Sequence, residues 1–529
     1  MGFINIQTQA SDLEKQRLRA SPQVLKLLVL ILLVLLVLKI SARHRANRIT
    51  NQHGRKICEI PGDARVSKFA FSQQLSDHGK ALAGGEPFII RNGRARELVV
   101  TKPEHIYDFY KGDTRHHPKP PYLNMGKYFS GHVTPFRVPL APYVFGAIAG
   151  ERWLMIRRYF DPEFSFQSAR RAIPQLSASI NRWLDDLPLQ ATATKKGFAL
   201  ELKKPCRFLP LRLAAEFVYG EVFDDEVAYL TLHPPSIPLQ LFSALLELNI
   251  LHEVILHDVI ANKRLATSLG CWLDRNAAKR IQEFRSRWRE FNLRIVQSAR
   301  KGSQVCPTEK IYRGVERGDL KHEEFLHTLD EILFANVDVS SAVLNTLFEH
   351  LAANTAFQQK LRGEIDAHVG SRTRTPDTDT DMDTNTHTEK YLSKQDSHLN
   401  YAVMEAMRLS PAFAFSLPEC TAVPKEIGGY RVPARCPVVI DAKRLNADPA
   451  TWGKDSDTYR PERFRDITPS KLRYGFMRFG VGAASGRCLG KHLADTVFKL
   501  TLLAVLERYS LHSGQDEPEI EVRYMNQKE

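Results

Sequence analysis

Phe479-Gly480-Val481-Gly482-Ala483-Ala484-Ser485-Gly486-Arg487-Cys488-Leu489-Gly490 sets one cysteine among four glycines, just ahead of an apolar segment, Leu493–Leu502, that reads as a helix. Glycine's free dihedrals let backbone N–H groups turn toward a sulfur. The positive start of the following helix lowers a thiol's pKa. Both are what a thiolate needs if it is to hold iron. The chain has seven cysteines (58, 206, 271, 306, 420, 436 and 488), and Cys488 alone has this setting. Taken by itself, the stretch also fits a buried cysteine in a glycine-rich turn.

Arg460-Pro461-Glu462-Arg463-Phe464 precedes this stretch, and Glu405-Ala406-Met407-Arg408 lies about fifty-five residues earlier. Glu405 and Arg408 fall at i and i+3 on one helix face. Tyr401, Val403, Met404, Met407 and Leu409 make that helix apolar around the pair. The pair therefore reads as buried, and a buried pair needs a further donor. Arg463 is the candidate to supply it. Further back, Trp153 and Arg157 stand at i and i+4 on a helix after Gly150. That spacing can present an indole N–H and a guanidinium to one anionic group.

The 529 residues are 43% hydrophobic and 25% charged, which excludes a mainly disordered or fibrous chain. Half of the net charge of +14 lies in residues 1–60, where ten Lys/Arg face three acids around an apolar run. A membrane or an acidic protein partner fits that distribution better than nucleic acid, and no nucleic-acid partner is expected. Leu27 to Leu38 is twelve consecutive Leu, Val and Ile residues, and Val24 to Ile40 is apolar apart from Lys26 and Lys39. Seventeen helical residues span roughly 26 Å, against a hydrocarbon core of about 30 Å, and the terminal lysines can snorkel to the headgroups. Twelve apolar residues also suit a cleaved signal peptide. Lys39, Arg43, Arg45 and Arg48 are the wrong flank for cleavage and favour the cytoplasmic side. The expected organisation is an N-terminal tail (1–23), a transmembrane anchor (24–40), a basic linker (41–60) and one folded body (61–529) that starts at the turn Ile60-Pro61-Gly62.

Within the body, strand-like runs at 87–90, 97–100 and 430–440 flank a predominantly helical region from about 150 to 370, with long amphipathic stretches at 277–300 and 322–352. The expected fold is mainly α with small β-sheets. Residues 372–390 are rich in Thr and Asp and lack an apolar face, so they read as a disordered surface loop. Asp377, Asp379 and Asp381 imitate the start of a calcium loop, but Met382 and Thr388 stand where Gly and Glu are required. Scattered cysteines without a CxxC pair argue against a disulfide framework or a zinc site.

Glu-x-x-Arg, then Pro-Glu-Arg-Phe, then a glycine-flanked cysteine, behind an N-terminal anchor, resembles the cytochrome P-450 family in order and spacing over roughly residues 60–515. The resemblance implies that family's fold behind a single transmembrane helix. It implies haem b with Cys488 as thiolate ligand and metal-binding residue, and Phe479 in the same cofactor-binding loop. Glu405, Arg408 and Arg463 would form the structural triad beneath it, and Trp153 and Arg157 would contact the haem propionates. The thiolate pushes electron density to the iron, which is what the cofactor's chemistry requires. The resemblance further implies a monooxygenase fed from NADPH through an NADPH–cytochrome P-450 reductase, anchored on the cytoplasmic face of the endoplasmic reticulum. The stretch from Ser410 to Phe464, with Gly428-Gly429-Tyr430 and Arg444-Leu445-Asn446, looks like fungal enzymes of secondary metabolism. More narrowly it is similar to oxidases of gliotoxin-type diketopiperazine pathways, so a small organic substrate of metabolite or mycotoxin biosynthesis is expected.

Four features depart from the family pattern. Eight residues, not six, separate Phe479 from Cys488; Gly486 replaces a usual basic residue; and Pro418-Glu419 replaces a frequent Pro-Arg. The last two remove expected propionate contacts. The family's distal helix carries Ala/Gly-Gly-x-Asp/Glu-Thr-Thr/Ser, whose acid and alcohol relay protons. Here it is Ala335-Asn336-Val337-Asp338-Val339-Ser340, with the acid kept and the threonine lost. Ala335 and Val339 share one face, and Ser340 lies about 100° further round. Protons are then expected to travel through Asp338 with Ser340 or Asn336 and water, or through a polar group of the substrate. Two other readings stay open: an oxygen-independent haem-thiolate isomerase or dehydratase, and a non-catalytic haem-binding membrane protein.

Overall fold

A computed structural model describes residues 30–31, 34, 49–93, 95–112, 117, 120, 151–223, 241–261, 272–302, 306–370, 381–481, 487–514 and 519–525. The helices around the site are α1 (Glu151–Phe160), α2 (Lys203–Tyr219), α3 (Leu241–Ala261), α4 (Arg275–Lys301), α5 (His322–Ala353), α6 (Thr355–Val369), α7 (Asp381–Ser393), α8 (His398–Leu409) and α9 (Lys491–Arg508), and all but α7 carry apolar residues at three- and four-residue spacing. The amphipathic stretches at 277–300 and 322–352 thus fold as α4 and α5.

α5 packs along α2 and against α4, α8 and α9. Most of its middle is buried, yet Ala335, Asp338 and Ala342 are exposed and Glu331 and Val339 are half-buried. Residues 331, 335, 338 and 342 recur every three or four positions, so one face of a central helix stays open to solvent. That face is bordered by the largest apolar core, which draws Leu333, Val337 and Leu344 from α5 and Val403 and Val497 from its neighbours.

The expected runs at 87–90 and 97–100 and the end of the run at 430–440 join two short strands in a five-stranded sheet of β1 (Cys58–Glu59), β2 (Phe88–Asn92), β3 (Ala95–Val100), β4 (Glu419–Cys420) and β5 (Pro437–Ile440), in the order β1-β2-β3-β5-β4, while Tyr430–Val432 pairs in a separate sheet. Its register sets Leu98, Val99 and Val100 beside Val438, Val439 and Ile440. Alternation then sends Phe88, Ile90, Val99 and Val439 into one apolar cluster and Ile89, Leu98, Val100, Val438 and Ile440 into another. Both faces are covered, which explains why these strands read as continuous apolar runs. The turn at Ile60-Pro61-Gly62 is present, with Gly62 at φ 96°.

One sequence expectation changes here. The surface loop expected at 372–390 is helical from 381 onward: Thr388 and Tyr391 are buried, Glu389 pairs with Arg170, and the Tyr391 hydroxyl donates to Glu364 at 2.7 Å. Tertiary contacts overrode a weak local helix propensity. Among the described residues, no helix is long and apolar enough to cross a membrane. The anchor expected at 24–40 lies almost wholly outside the described residues; only Leu30, Ile31 and Val34 are described, as exposed helical positions.

Candidate active site

The ion-pair network expected around Glu405 is closed. Arg408 donates through Nε to Glu405 Oε2 at 2.7 Å and through Nη2 to Oε1 at 2.8 Å. Arg463 Nε and the Arg460 backbone N–H also donate to Oε1, at 2.8 and 2.9 Å. Glu405 and Arg408 sit at i and i+3 on α8, and both side chains are 0% exposed. The other Arg408 N–H groups reach the carbonyls of Asn446, Ser456 and Thr458. All five guanidinium donors are therefore used, with the Trp452 ring 5.2 Å away. Arg463 donates in turn to the carbonyls of Trp452, Asp455 and Thr458. Such complete satisfaction is what lets charges persist in an apolar interior.

The network reaches toward the cysteine. The Asn446 side chain, 0% exposed, grips the Met477 backbone at both ends. Two residues on, the Phe479 carbonyl accepts the Cys488 N–H at 2.9 Å. Arg478 lies 4.7 Å over the Phe479 ring and pairs with Asp495 of α9. Cys488 itself is open to solvent, yet surrounding protein raises its thiol pKa, chiefly by burial. The Gly490 N–H lowers it, Glu331 of α5 raises it, and Arg157 and Lys491 lower it. The charges that act on this thiol come from Arg157 of α1 and Glu331 on the open face of α5. The other described cysteines are half-buried or buried elsewhere in the fold.

A thiol with a backbone N–H directed to it and an open side is the donor set that a haem iron takes, so these residues fit the implied group. Residues 482–486, which hold the two-residue insertion and Gly486, lie outside the described residues. Trp153 and Arg157 come together, but as a stack: the guanidinium lies 5.1 Å over the indole ring and its Nε donates to Asp161. Arg487 is exposed, and Glu419 is buried, accepting from the Tyr110 hydroxyl at 3.4 Å.

The three residues expected to move protons separate into two groups. Ser340 is buried and donates to Asn336 Oδ1 at 2.7 Å, and Asn336 Nδ2 donates to the Ile332 carbonyl at 2.5 Å. Both polar groups are tied into a ladder along their own helix. Asp338 stands on the open face instead. Burial raises its carboxyl above the usual range, Arg207 of α2 lowers it and Glu253 of α3 raises it. Arg207 and Glu253 pair at 2.7 Å, and Asn249 donates to Glu253 at 2.9 Å. Val339 fills the threonine position with a methyl-bearing side chain. Sequence reading overlooked the Asn446 clamp, Trp452 and the Arg207–Glu253 pair; only the polarity of Asn446 beside an apolar turn could have signalled the first.

Residues 126–528 match the family model described as Cytochrome P450, written cytochrome P-450 here. The chain is 76% identical over 528 residues to cytochrome P-450 monooxygenase apdB of Emericella nidulans, covering 99% of each chain. It is 40% identical to monooxygenase opdB of Penicillium oxalicum, covering 91% of this chain and 89% of that one. It is 38% identical to monooxygenase lepD of Aspergillus flavus, covering 87% and 84%.

Proposed function

The chain belongs to the cytochrome P-450 family, and from that premise we propose how this member works. It is a haem-thiolate monooxygenase of the fungal secondary-metabolite type. Cys488 would hold the haem iron through its sulfur, positioned by its Phe479 and Gly490 backbone contacts, and the Glu405–Arg408–Arg463 network would brace the protein that carries it. Bound haem supplies the oxygen-activating redox chemistry. Arg157 and Trp153 are proposed to meet the propionates, Arg157 sharing its charge with Asp161. Electrons are proposed to come from NADPH through a reductase. The anchor at 24–40, flanked by eight of the ten cations in residues 1–60, is proposed to hold the body at the cytoplasmic face of the endoplasmic reticulum.

For protons, Ser340 is committed to Asn336 and Val339 has none to give. Asp338 stands exposed on the open face of α5, with a carboxyl that burial raises above its usual range. We propose that Asp338 passes protons from solvent toward the haem site and that a polar group of the substrate, such as an amide, holds the last water. The setting of Cys488, its N–H held by the Phe479 carbonyl and its thiol beside the Gly490 N–H, carries the haem-thiolate reading. Its test is turnover with reductase, NADPH and extracts of the producing fungus: product should form only with oxygen present, and oxygen-independent conversion would overturn it.

A further inference from the structure

Asn446 is neither in the buried ion-pair network nor in the cysteine stretch, yet it touches the network and the chain just ahead of the stretch. Its backbone carbonyl accepts from Arg408 Nη1 at 2.8 Å. Its side-chain amide does what a neighbouring β-strand would do for Met477: Nδ2 donates to the Met477 carbonyl at 3.0 Å, and Oδ1 accepts the Met477 N–H at 2.8 Å. A second tie runs alongside, where Trp452 Nε1 donates to the carbonyls of Leu445 and Gly475, each at 3.2 Å. From Met477 the chain needs two residues to reach Phe479, whose carbonyl holds the Cys488 N–H.

We infer that Asn446 is a positioning residue: its two-ended grip fixes the foot of the cysteine stretch to the buried network, and so fixes where the Cys488 sulfur sits. The inference rests on Cys488 being the iron ligand. The eight residues between Phe479 and Cys488 make the point sharper. A longer connection constrains its ends less by itself, so more of the thiolate's placement falls to what anchors the stretch from outside. Replacing Asn446 leaves its backbone carbonyl, and therefore the Arg408 contact, in place. The ion-pair network and haem uptake should survive while the sulfur loosens.

Asn446→Asp keeps the acceptor for the Met477 N–H but sets a lone pair against the Met477 carbonyl. Asn446→Leu keeps the size and removes both bonds. Each holoprotein is reduced, treated with carbon monoxide, and scored for the fraction of its haem that shows the red-shifted Soret band of thiolate ligation, at measured haem content. Losing one net hydrogen bond shifts an equilibrium roughly fivefold. The ratio of thiolate-free to thiolate-ligated haem should rise by about that factor in Asn446→Asp and by more in Asn446→Leu. An unchanged ratio in whichever variant yields holoprotein, however much the yield falls, would overturn the inference. Wild-type protein lacking the thiolate band altogether would instead refute Cys488 as ligand.

Discussion

Arg408 directs all five of its N–H groups at Glu405 and three backbone carbonyls, and it is buried with its partner. Arg408→Ala would leave Glu405 with Arg463 as its remaining side-chain cation and strip three carbonyls of a donor. Breaking such a buried pair costs roughly 3–5 kcal/mol. Little or no haem-loaded protein should be recovered, and Arg408→Lys should rescue poorly, because a point charge cannot fill a planar fork. Full haem loading in Arg408→Ala, measured as haem per polypeptide, would contradict the network's role. The distal residues separate by a different experiment. Ser340 hydrogen-bonds within its own helix, so Ser340→Ala should keep most of its product per NADPH. Asp338→Asn should lose turnover, by about 10²–10⁴-fold if nothing replaces the proton route. A collapse of coupling in Ser340→Ala would show that the hydroxyl carries the relay. The ion pair was legible in the sequence because opposite charges at helical spacing sat among apolar neighbours. The Asn336–Ser340 ladder was not, because motif spacing gives a residue's face but not its hydrogen-bond partner.

Among the elements, the short helix Ala442–Leu445 carries Asn446 at its C-cap and is held at its start by Asp441. Asp441 accepts from the Arg444 N–H at 3.1 Å and from the Ser76 hydroxyl at 2.6 Å. Burial lifts its carboxyl to about 6, against the downward pull of those hydrogen bonds. An unfolded aspartate titrates near 3.9, so the folded protein holds the proton more tightly. This group's contribution to stability is then fullest below about pH 4 and is lost as pH rises toward 6. Relative to wild type, Asp441→Asn should gain thermal stability progressively from pH 4 to 6 and no further above that. A difference in melting temperature that stays constant across this range would contradict the assignment. α5 was legible from its period, and the open face of that helix follows from the small residues Ala335 and Ala342 between its charged ones. α7 was not legible, since its Thr- and Asp-rich sequence becomes helical through Tyr391, Glu389 and their distant partners.

Over the whole molecule, the cationic first sixty residues and the apolar run within them are the ground for proposing a membrane surface as its place. The body beyond them is mainly helical around one large apolar core, with the five-stranded sheet to one side. Protease added to intact microsomes should digest residues 60–529, and protection of that region would reverse the proposed topology. The sequence carried the family because its motifs are charged, aromatic or glycine-bound residues at constrained spacing. The substrate was not legible, because it depends on side chains brought together from distant segments. Everything proposed for this active site passes through one sulfur. The most direct measurement is the absorption spectrum of the reduced protein under carbon monoxide, for wild type and for Cys488→Ser at equal haem content. Wild type should show the red-shifted Soret band of a thiolate-ligated haem and Cys488→Ser should lack it; the same band in both proteins would contradict the assignment.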